Sequence, residues 1–174
     1  VDFVTFDNEP ELYKIAEHYP GAHVLLRIKV GNEGSMVNLS LKFGADPENA
    51  YLILRKARSL GLVPAGLSFH VGSQSKNVEN YLQALEISAH IFDEAKENDV
   101  PLRIMDIGGG FPIQHFDDEI GVNFERMAAE IRKQIRRFFD KKVQFIAEPG
   151  RFLVGPAGIL VTQVTGRAFR SNKN

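Results

Sequence analysis

Short apolar runs alternate with helix-type patterns along most of this chain, and that alternation restricts its fold more than any other feature. Five runs are typical of strands, and they cover residues 3–7, 23–30, 64–72, 102–107 and 143–148. The segments between the strands have helical spacing or helix-start signals, over residues 9–19, 46–60, 77–98 and 123–139, and Asn8 and Asp46 are the predicted caps of the first two. Repeated strand–helix units predict a parallel sheet with helices outside it. Because the strands are apolar at nearly every position, both faces of the sheet should be covered.

Two α/β architectures fit five such units: an open doubly wound sheet, or part of an eight-stranded (β/α)8 barrel. The pattern changes after Pro149, where residues 152–174 look rich in strand and contain no helical spacing. We therefore predict a partial barrel or sheet over residues 1–151 and the start of a β-type domain over 152–174. A first residue other than Met and a polar C-terminal tail are what we expect of a segment of a longer protein.

Composition excludes several classes of function. The chain has 174 residues, of which 44% are hydrophobic and 25% charged, and its net charge is -1, so a nucleic-acid or anionic membrane partner is not expected. No apolar run is long enough to cross a membrane. Cysteine is absent, which excludes disulfides and thiolate metal sites and fits a reducing, cytoplasmic location. The histidines at 18, 23, 90 and 115 follow no ligand spacing, and we predict no metal.

Four predicted strands carry a titratable residue at or near the C-terminal end: Arg27, His70, Asp106 and Glu148. A charge within a buried sheet is costly unless it is paired or serves a site. A salt bridge would explain any one of these residues alone. Four at the same level predict a cluster, and this edge of a parallel α/β sheet is where active sites are built.

Three glycine-containing turns follow at the same edge. Gly108, Gly109 and Gly110 begin two residues after Asp106, Gly150 and Arg151 follow Glu148, and Ser73 follows the strand that ends near His70. Successive glycine N–H groups form a concave donor surface suited to a phosphate, and an arginine can hold an anion with two hydrogen bonds. Each turn alone could be an ordinary loop. Together they predict a phosphate site, although neither a dinucleotide fingerprint nor a P-loop is present.

These segments resemble a known family. "SFHVGSQ", "DIGGGFP" and "AEPGRFLV", with "VTFDNEPEL", "LLRI" and "LSLKFGA", are similar to motifs of the fold-type III pyridoxal-phosphate decarboxylases. The resemblance implies a TIM-type barrel of the alanine-racemase kind, of which about five strands are present. "TFDNEPEL", "SFHVGS" and "DIGGGFP" favour the ornithine/lysine branch. Gln74 is shared with diaminopimelate decarboxylases, which remain an alternative.

The resemblance also implies roles for the matching residues. His70 would stack on the pyridoxal ring and Glu148 would bond the pyridine nitrogen, so these two are the candidate catalytic residues. Ser73, Gly108, Gly109, Gly110, Gly150 and Arg151 would surround the phosphate. Arg27 would lie near the cofactor or else pair with Asp106, which would orient a neighbour. Glu148 could instead cap a helix or pair with Arg151, and Ser73 could be a turn residue. Lys42 matches a residue used at the family's dimer contact, or is simply solvated.

The implied reaction is the decarboxylation of ornithine or lysine to a diamine, a step of polyamine biosynthesis, by a pyridoxal 5′-phosphate enzyme that forms a homodimer. The motif of the Schiff-base lysine is missing from the sequence, as are the cysteine and aspartates that the family's C-terminal domain supplies. We therefore expect the chain alone to be inactive. A non-catalytic homologue of the antizyme-inhibitor kind is the other interpretation.

Overall fold

Five parallel strands form one sheet in the computed structural model, which describes residues 3–36, 42–114 and 121–167. The strands are β1 (Val4–Phe6), β2 (His23–Arg27), β3 (Val63–Ser68), β4 (Ile104–Asp106) and β5 (Gln144–Ile146). Each strand pairs with the one before it in the chain, in the order β1-β2-β3-β4-β5. A doubly wound sheet reverses its strand order at a switch point, and this sheet does not. The barrel-type arrangement is therefore the correct one of the two predicted.

Four helices connect or follow the strands at the predicted places. They are α1 (Glu9–His18), α2 (Ala50–Ser59), α3 (Glu79–Glu97) and α4 (Phe124–Phe138), and a single 3-10 turn, Pro47–Asn49, leads into α2. Asn8 caps α1 by accepting a hydrogen bond from the Glu11 N–H at 3.1 Å. Asn123 caps α4 in the same way, from the Arg126 N–H at 2.9 Å.

Asp46 does not cap the second predicted helix, so that part of the prediction is wrong. It makes no side-chain hydrogen bond to the helix that follows. Its carboxylate instead accepts from the Lys29 ammonium at 2.9 Å. The ion pair holds the carboxylate toward Lys29, and the chain enters α2 through the 3-10 turn.

The two faces of the sheet pack against different partners. Leu26, Leu67 and Met105 lie side by side in register and face the helices, where they join the main core with Leu54 and Leu85. Leu25, Ala65 and Ile104 form a small cluster on the other face. Side chains alternate along a strand, so Arg27, two residues beyond Leu25, and Asp106, two beyond Ile104, project from this second face.

The segment after β5 differs from its prediction. Arg151–Val154 form a short helix, α5, followed by a 3-10 turn at Gly155–Ala157. In the described range 152–167 there is no strand, so the strand-rich prediction is wrong for these residues. The apolar side chains of Ile159 and Val161 are 93% and 88% exposed, and no described strand supplies the ladder of hydrogen bonds that an extended segment needs. The domain boundary near residue 151 stays a prediction. None of the described helices could cross a membrane.

Candidate cofactor site

The four predicted titratable residues lie at the C-terminal edge of the sheet, close enough for their charges to interact. In strand register, Arg27 pairs with Ser68, and Ser68 pairs with Asp106. His70 follows two residues after Ser68, and Glu148 two residues after Ile146, which pairs with Asp106. The charges of Arg27 and Glu148 both act on the pKa of His70 and of Asp106. The alternation of polar and apolar residues at the strand ends therefore places these groups at one edge of the sheet.

Asp106 is a buried carboxyl group, with its side chain only 3% exposed. Burial raises its pKa to about 6, and the Glu148 carboxylate adds to the rise, while a hydrogen bond from Gly108 and the charge of Arg27 oppose it. The Gly108 N–H donates to its Oδ1 at 2.8 Å. Among the described residues, Asp106 and Arg27 do not approach within ion-pair distance. The Arg27 guanidinium lies over the Phe43 ring, 5.2 Å from its centroid. The predicted alternative of a structural pair between them is wrong.

His70 is held at one ring nitrogen. Its Nδ1 accepts a hydrogen bond from the Gly72 N–H at 3.0 Å, which leaves Nε2 as the protonated nitrogen of the neutral ring. Burial lowers the pKa of His70, and the charge of Arg27 lowers it further against the opposing effect of Glu148. The imidazole is therefore neutral near pH 7 and fixed in one orientation.

The three consecutive glycines allow three loops to pack together. A Cβ on Gly108 would lie 2.1 Å from the Phe69 carbonyl oxygen, and one on Gly109 would lie 2.5 Å from that of Glu148. A Cβ on Gly110 would lie 2.1 Å from the Gly72 oxygen, and the φ of Gly110, +94°, is itself in the region that favours glycine. Larger residues would push the loops after β3 and β5 away from the glycine turn.

The hydrogen bonds of the glycine turn are unevenly distributed. The Gly108 carbonyl accepts from the Glu148 N–H at 2.8 Å, and the Gly110 carbonyl accepts from the Ser75 N–H at 2.9 Å. The Gly109 carbonyl accepts from the Tyr81 hydroxyl at 3.0 Å. Within the described part of the chain, by contrast, no acceptor meets the N–H of Gly109 or Gly110. Nearly all buried backbone donors are paired in proteins, so this pattern points to an acceptor brought by a ligand.

A small cavity of about 130 Å³ opens beside this turn. Most of the predicted phosphate and ring contacts line it, together with three residues that the sequence did not single out: His70, Ser73, Gln74, Gly110, Phe111, Glu148, Gly150, Arg151 and Phe152. Gly108 and Gly109 are buried behind it. Arg27 lines a separate groove of about 310 Å³ that also includes Phe43. The structure thus brings one set of predicted residues together around the cavity, and Arg27 is not among them.

Gln74 is the most informative residue that the sequence reasoning missed. Its backbone has φ +54°, rare for a residue other than glycine, and strain of this kind clusters at functional sites. Its buried side-chain amide donates to the Ile113 carbonyl at 2.9 Å and accepts from the Ile113 N–H at 2.8 Å. This pair of hydrogen bonds connects the loop after β3 to the segment after the glycines. No periodicity or spacing marks such a backbone conformation in advance.

Three further predictions concern Lys42, the alternatives for Glu148 and the absence of a metal site. Lys42 is exposed. Neither an ion pair with Arg151 nor a helix cap involves Glu148, whose side chain is exposed at the cavity, so both of its structural alternatives are wrong. In residues 3–36, 42–114 and 121–167, no three acidic or histidine side chains come together as metal ligands would. His115 lies outside the described residues.

Residues 1–155 match the family model described as the pyridoxal binding domain of pyridoxal-dependent decarboxylases, and the chain belongs to this family. The lysine/ornithine decarboxylase of Selenomonas ruminantium is 43% identical to it over 171 residues, which are 97% of this chain and 42% of that protein. The chain thus spans about two fifths of the length of this curated relative.

Solved structures agree in fold and coverage. A crystal structure of a variant of the lysine decarboxylase SrLDC in complex with PLP matches with a TM-score of 0.85 and 42% identity, over 90% of this chain and 40% of that one. The arginine decarboxylase of Paramecium bursaria Chlorella virus, bound to agmatine, matches with a TM-score of 0.78 and 38% identity, over 87% of this chain and 40% of that one.

Proposed function

We propose that this chain is the cofactor-binding segment of a decarboxylase that uses pyridoxal 5′-phosphate to convert ornithine, lysine or both to the diamine. The observation that carries the proposal is the cavity in which Arg151, Ser73 and Gly110 meet Glu148 and His70. Donors for an anion, an imidazole and a carboxylate all line this one cavity. A phosphorylated heterocycle needs all three.

The phosphate would be held by one cation and several neutral donors. Arg151 can offer two parallel N–H groups, and Ser73 and Gly110, which line the same cavity, can add a hydroxyl and a backbone N–H. The Gly109 N–H, which has no acceptor among the described residues, is a further candidate. The residues present therefore fit a phosphate group.

His70 and Glu148 would act on the ring of the cofactor. The neutral His70 imidazole can stack on the ring without the repulsion that a cation would bring to a protonated pyridine. The Glu148 carboxylate would favour a proton on the ring nitrogen through opposite charge. When bound, the cofactor supplies an electron sink for the bond that breaks as CO2 leaves, and a protonated ring nitrogen makes that sink stronger.

The proposal extends to the substrate, the partner and the location of the complete protein. The names of the relatives support a small basic amino acid as substrate. We further propose a homodimer with Lys42 at its contact, a cytoplasmic location, and a boundary near residue 151 between the barrel part and a C-terminal β-domain. The lysine that would anchor the cofactor would come from a part of the enzyme other than these residues.

Replacing the cation at the cavity tests the proposal. In the complete apoenzyme, Arg151→Ala should raise the dissociation constant for pyridoxal 5′-phosphate by about 10- to 100-fold, because a charge-assisted pair is lost. Titration followed by absorbance measures this constant. Arg136→Ala, in the last turn of α4, is the matched control and should bind normally. Unchanged cofactor affinity in Arg151→Ala would refute the assignment.

A further inference from the structure

The hydroxyl of Tyr81 determines which way one peptide of the glycine turn faces. Tyr81 lies in the first turn of α3. Its hydroxyl donates a hydrogen bond to the Gly109 carbonyl, at an oxygen–oxygen distance of 3.0 Å. In a planar trans peptide, the C=O and the following N–H point in opposite directions. Because the Gly109 carbonyl is held toward α3, the Gly110 N–H points away from that helix. Gly110 is also the one glycine of the three that lines the cavity.

This peptide would rotate easily without such a contact. It joins two glycines, and with no Cβ on either side few backbone conformations are excluded. A rotation that exchanged the carbonyl and the N–H would present an oxygen where the N–H now lies. An anion in the cavity would then meet a partial negative charge in place of a donor.

The Tyr81 side chain is rigid enough to hold the peptide. It is 0% exposed, and its ring stacks on Phe111 with centroids 5.3 Å apart and planes 9° apart. The Phe69 ring contacts it edge-on at 6.5 Å. Burial also raises the pKa of the Tyr81 hydroxyl, so the group stays protonated and remains a donor. Removing the oxygen alone would leave these ring contacts in place.

We propose that Tyr81 is a positioning residue, which fixes the Gly109–Gly110 peptide so that the Gly110 N–H donates to the phosphate of the bound cofactor. The inference rests on the proposed function, which makes the cavity the phosphate site. It assigns to Tyr81 an effect on the phosphate and none on the pyridine ring. That separation makes it testable with two ligands that differ only in the phosphate.

The test compares pyridoxal 5′-phosphate with pyridoxal in the complete apoenzyme. Tyr81→Phe should raise the dissociation constant for the phosphorylated ligand by about five- to tenfold, the effect of one lost hydrogen bond. Its affinity for pyridoxal should not change. Tyr13→Phe is the matched control, because the Tyr13 hydroxyl bonds Glu9 on the exposed side of α1. Melting temperatures of the apoproteins report any loss of folding.

Two results would overturn the role of Tyr81: wild-type affinity for the phosphorylated ligand, or an equal loss for both ligands. Arg151→Ala separates this failure from a failure of the proposed function. If Arg151→Ala weakens phosphate-dependent binding and Tyr81→Phe does not, only the role of Tyr81 is wrong. If neither variant weakens it, the cavity is not the phosphate site.

A second measurement applies if Tyr81→Phe does not fold. Hydrogen–deuterium exchange of the wild-type Gly110 amide should slow at least several-fold more with pyridoxal 5′-phosphate than with pyridoxal, since only the former supplies the acceptor. Equal protection by the two ligands would contradict the inference in the same way.

Discussion

Asp106 and Glu148 are two carboxylates at one edge of the sheet in opposite environments. Asp106 is buried and bonded to a backbone N–H, while Glu148 is exposed at the cavity. Two such groups commonly have different functions, because the environment of each sets its charge state. Here the exposed carboxylate is free to meet a ligand, and the buried one holds the glycine turn.

Removing the Glu148 carboxylate should separate turnover from cofactor binding. If Glu148 has the proposed role, Glu148→Ala in the complete enzyme should lower kcat for decarboxylation by about 100-fold or more, because the carboxylate that favours the proton on the ring nitrogen is lost. Cofactor content should stay near that of the wild type. Glu86→Ala, exposed on α3, is the control. Wild-type CO2 release by Glu148→Ala would disprove the role.

Asp106 makes stability depend on pH. Its pKa in the folded protein is about 6, above the ordinary value near 4, so the folded state binds the proton more tightly than the unfolded state does. Stability therefore decreases as pH rises from about 4 to about 6 and levels off above that. Asp106→Asn can still accept from the Gly108 N–H but has no charge. Relative to wild type, it should gain up to about 3 kcal/mol of unfolding free energy over this window.

Denaturant unfolding of the apoprotein at several pH values measures that difference. Asp93→Asn, on the exposed side of α3, serves as the control for a general loss of negative charge. A difference between Asp106→Asn and wild type that does not vary between pH 4 and pH 7 would show that the carboxyl group is not perturbed as the structure indicates.

Asparagine caps fix two of the helices that cover the sheet, and the effect belongs to the helix as a unit. Asn123 accepts from the Arg126 N–H, and the helix that it starts buries Met127 and Ile131. Asn123→Ala should reduce the free energy of unfolding by about 1 kcal/mol, measured by denaturant titration. Asn49→Ala is the matched control, since Asn49 precedes α2 without a capping bond. Equal costs for the two variants would contradict the assignment.

Helix starts could be predicted from the sequence where the capping residue has no competing partner. Asn8 caps its helix as predicted. Asp46 does not, because Lys29, which is distant in sequence, takes its carboxylate. A local motif cannot show a competitor that only the tertiary fold brings near. The predicted third strand, 64–72, extends too far for a related reason. It ends at Ser68, and the residues that follow pack closely against the glycine turn.

At the scale of the molecule, the alternating strand and helix pattern predicted the parallel sheet, and the parity of polar residues predicted that four titratable residues meet at one of its edges. The sequence did not reveal how closely the three loops pack, which depends on the space left by Gly108, Gly109 and Gly110. It also did not reveal Tyr81 as more than a core residue, since its hydroxyl finds a partner only through the docking of α3. Periodicity identifies a buried face but not the polar atom at the end of a buried ring.

Because every strand joins the edge made by its predecessor, the sheet can grow in the order in which the ribosome delivers the chain. The hydrogen bond to the Gly108 carbonyl, however, needs the N–H of Glu148, which is synthesised much later. A nascent chain that ends before β5 would therefore contain a packed core but not the proposed cofactor site. We therefore expect the ability to capture the coenzyme to be acquired only after the loop that contains Glu148 has left the exit tunnel.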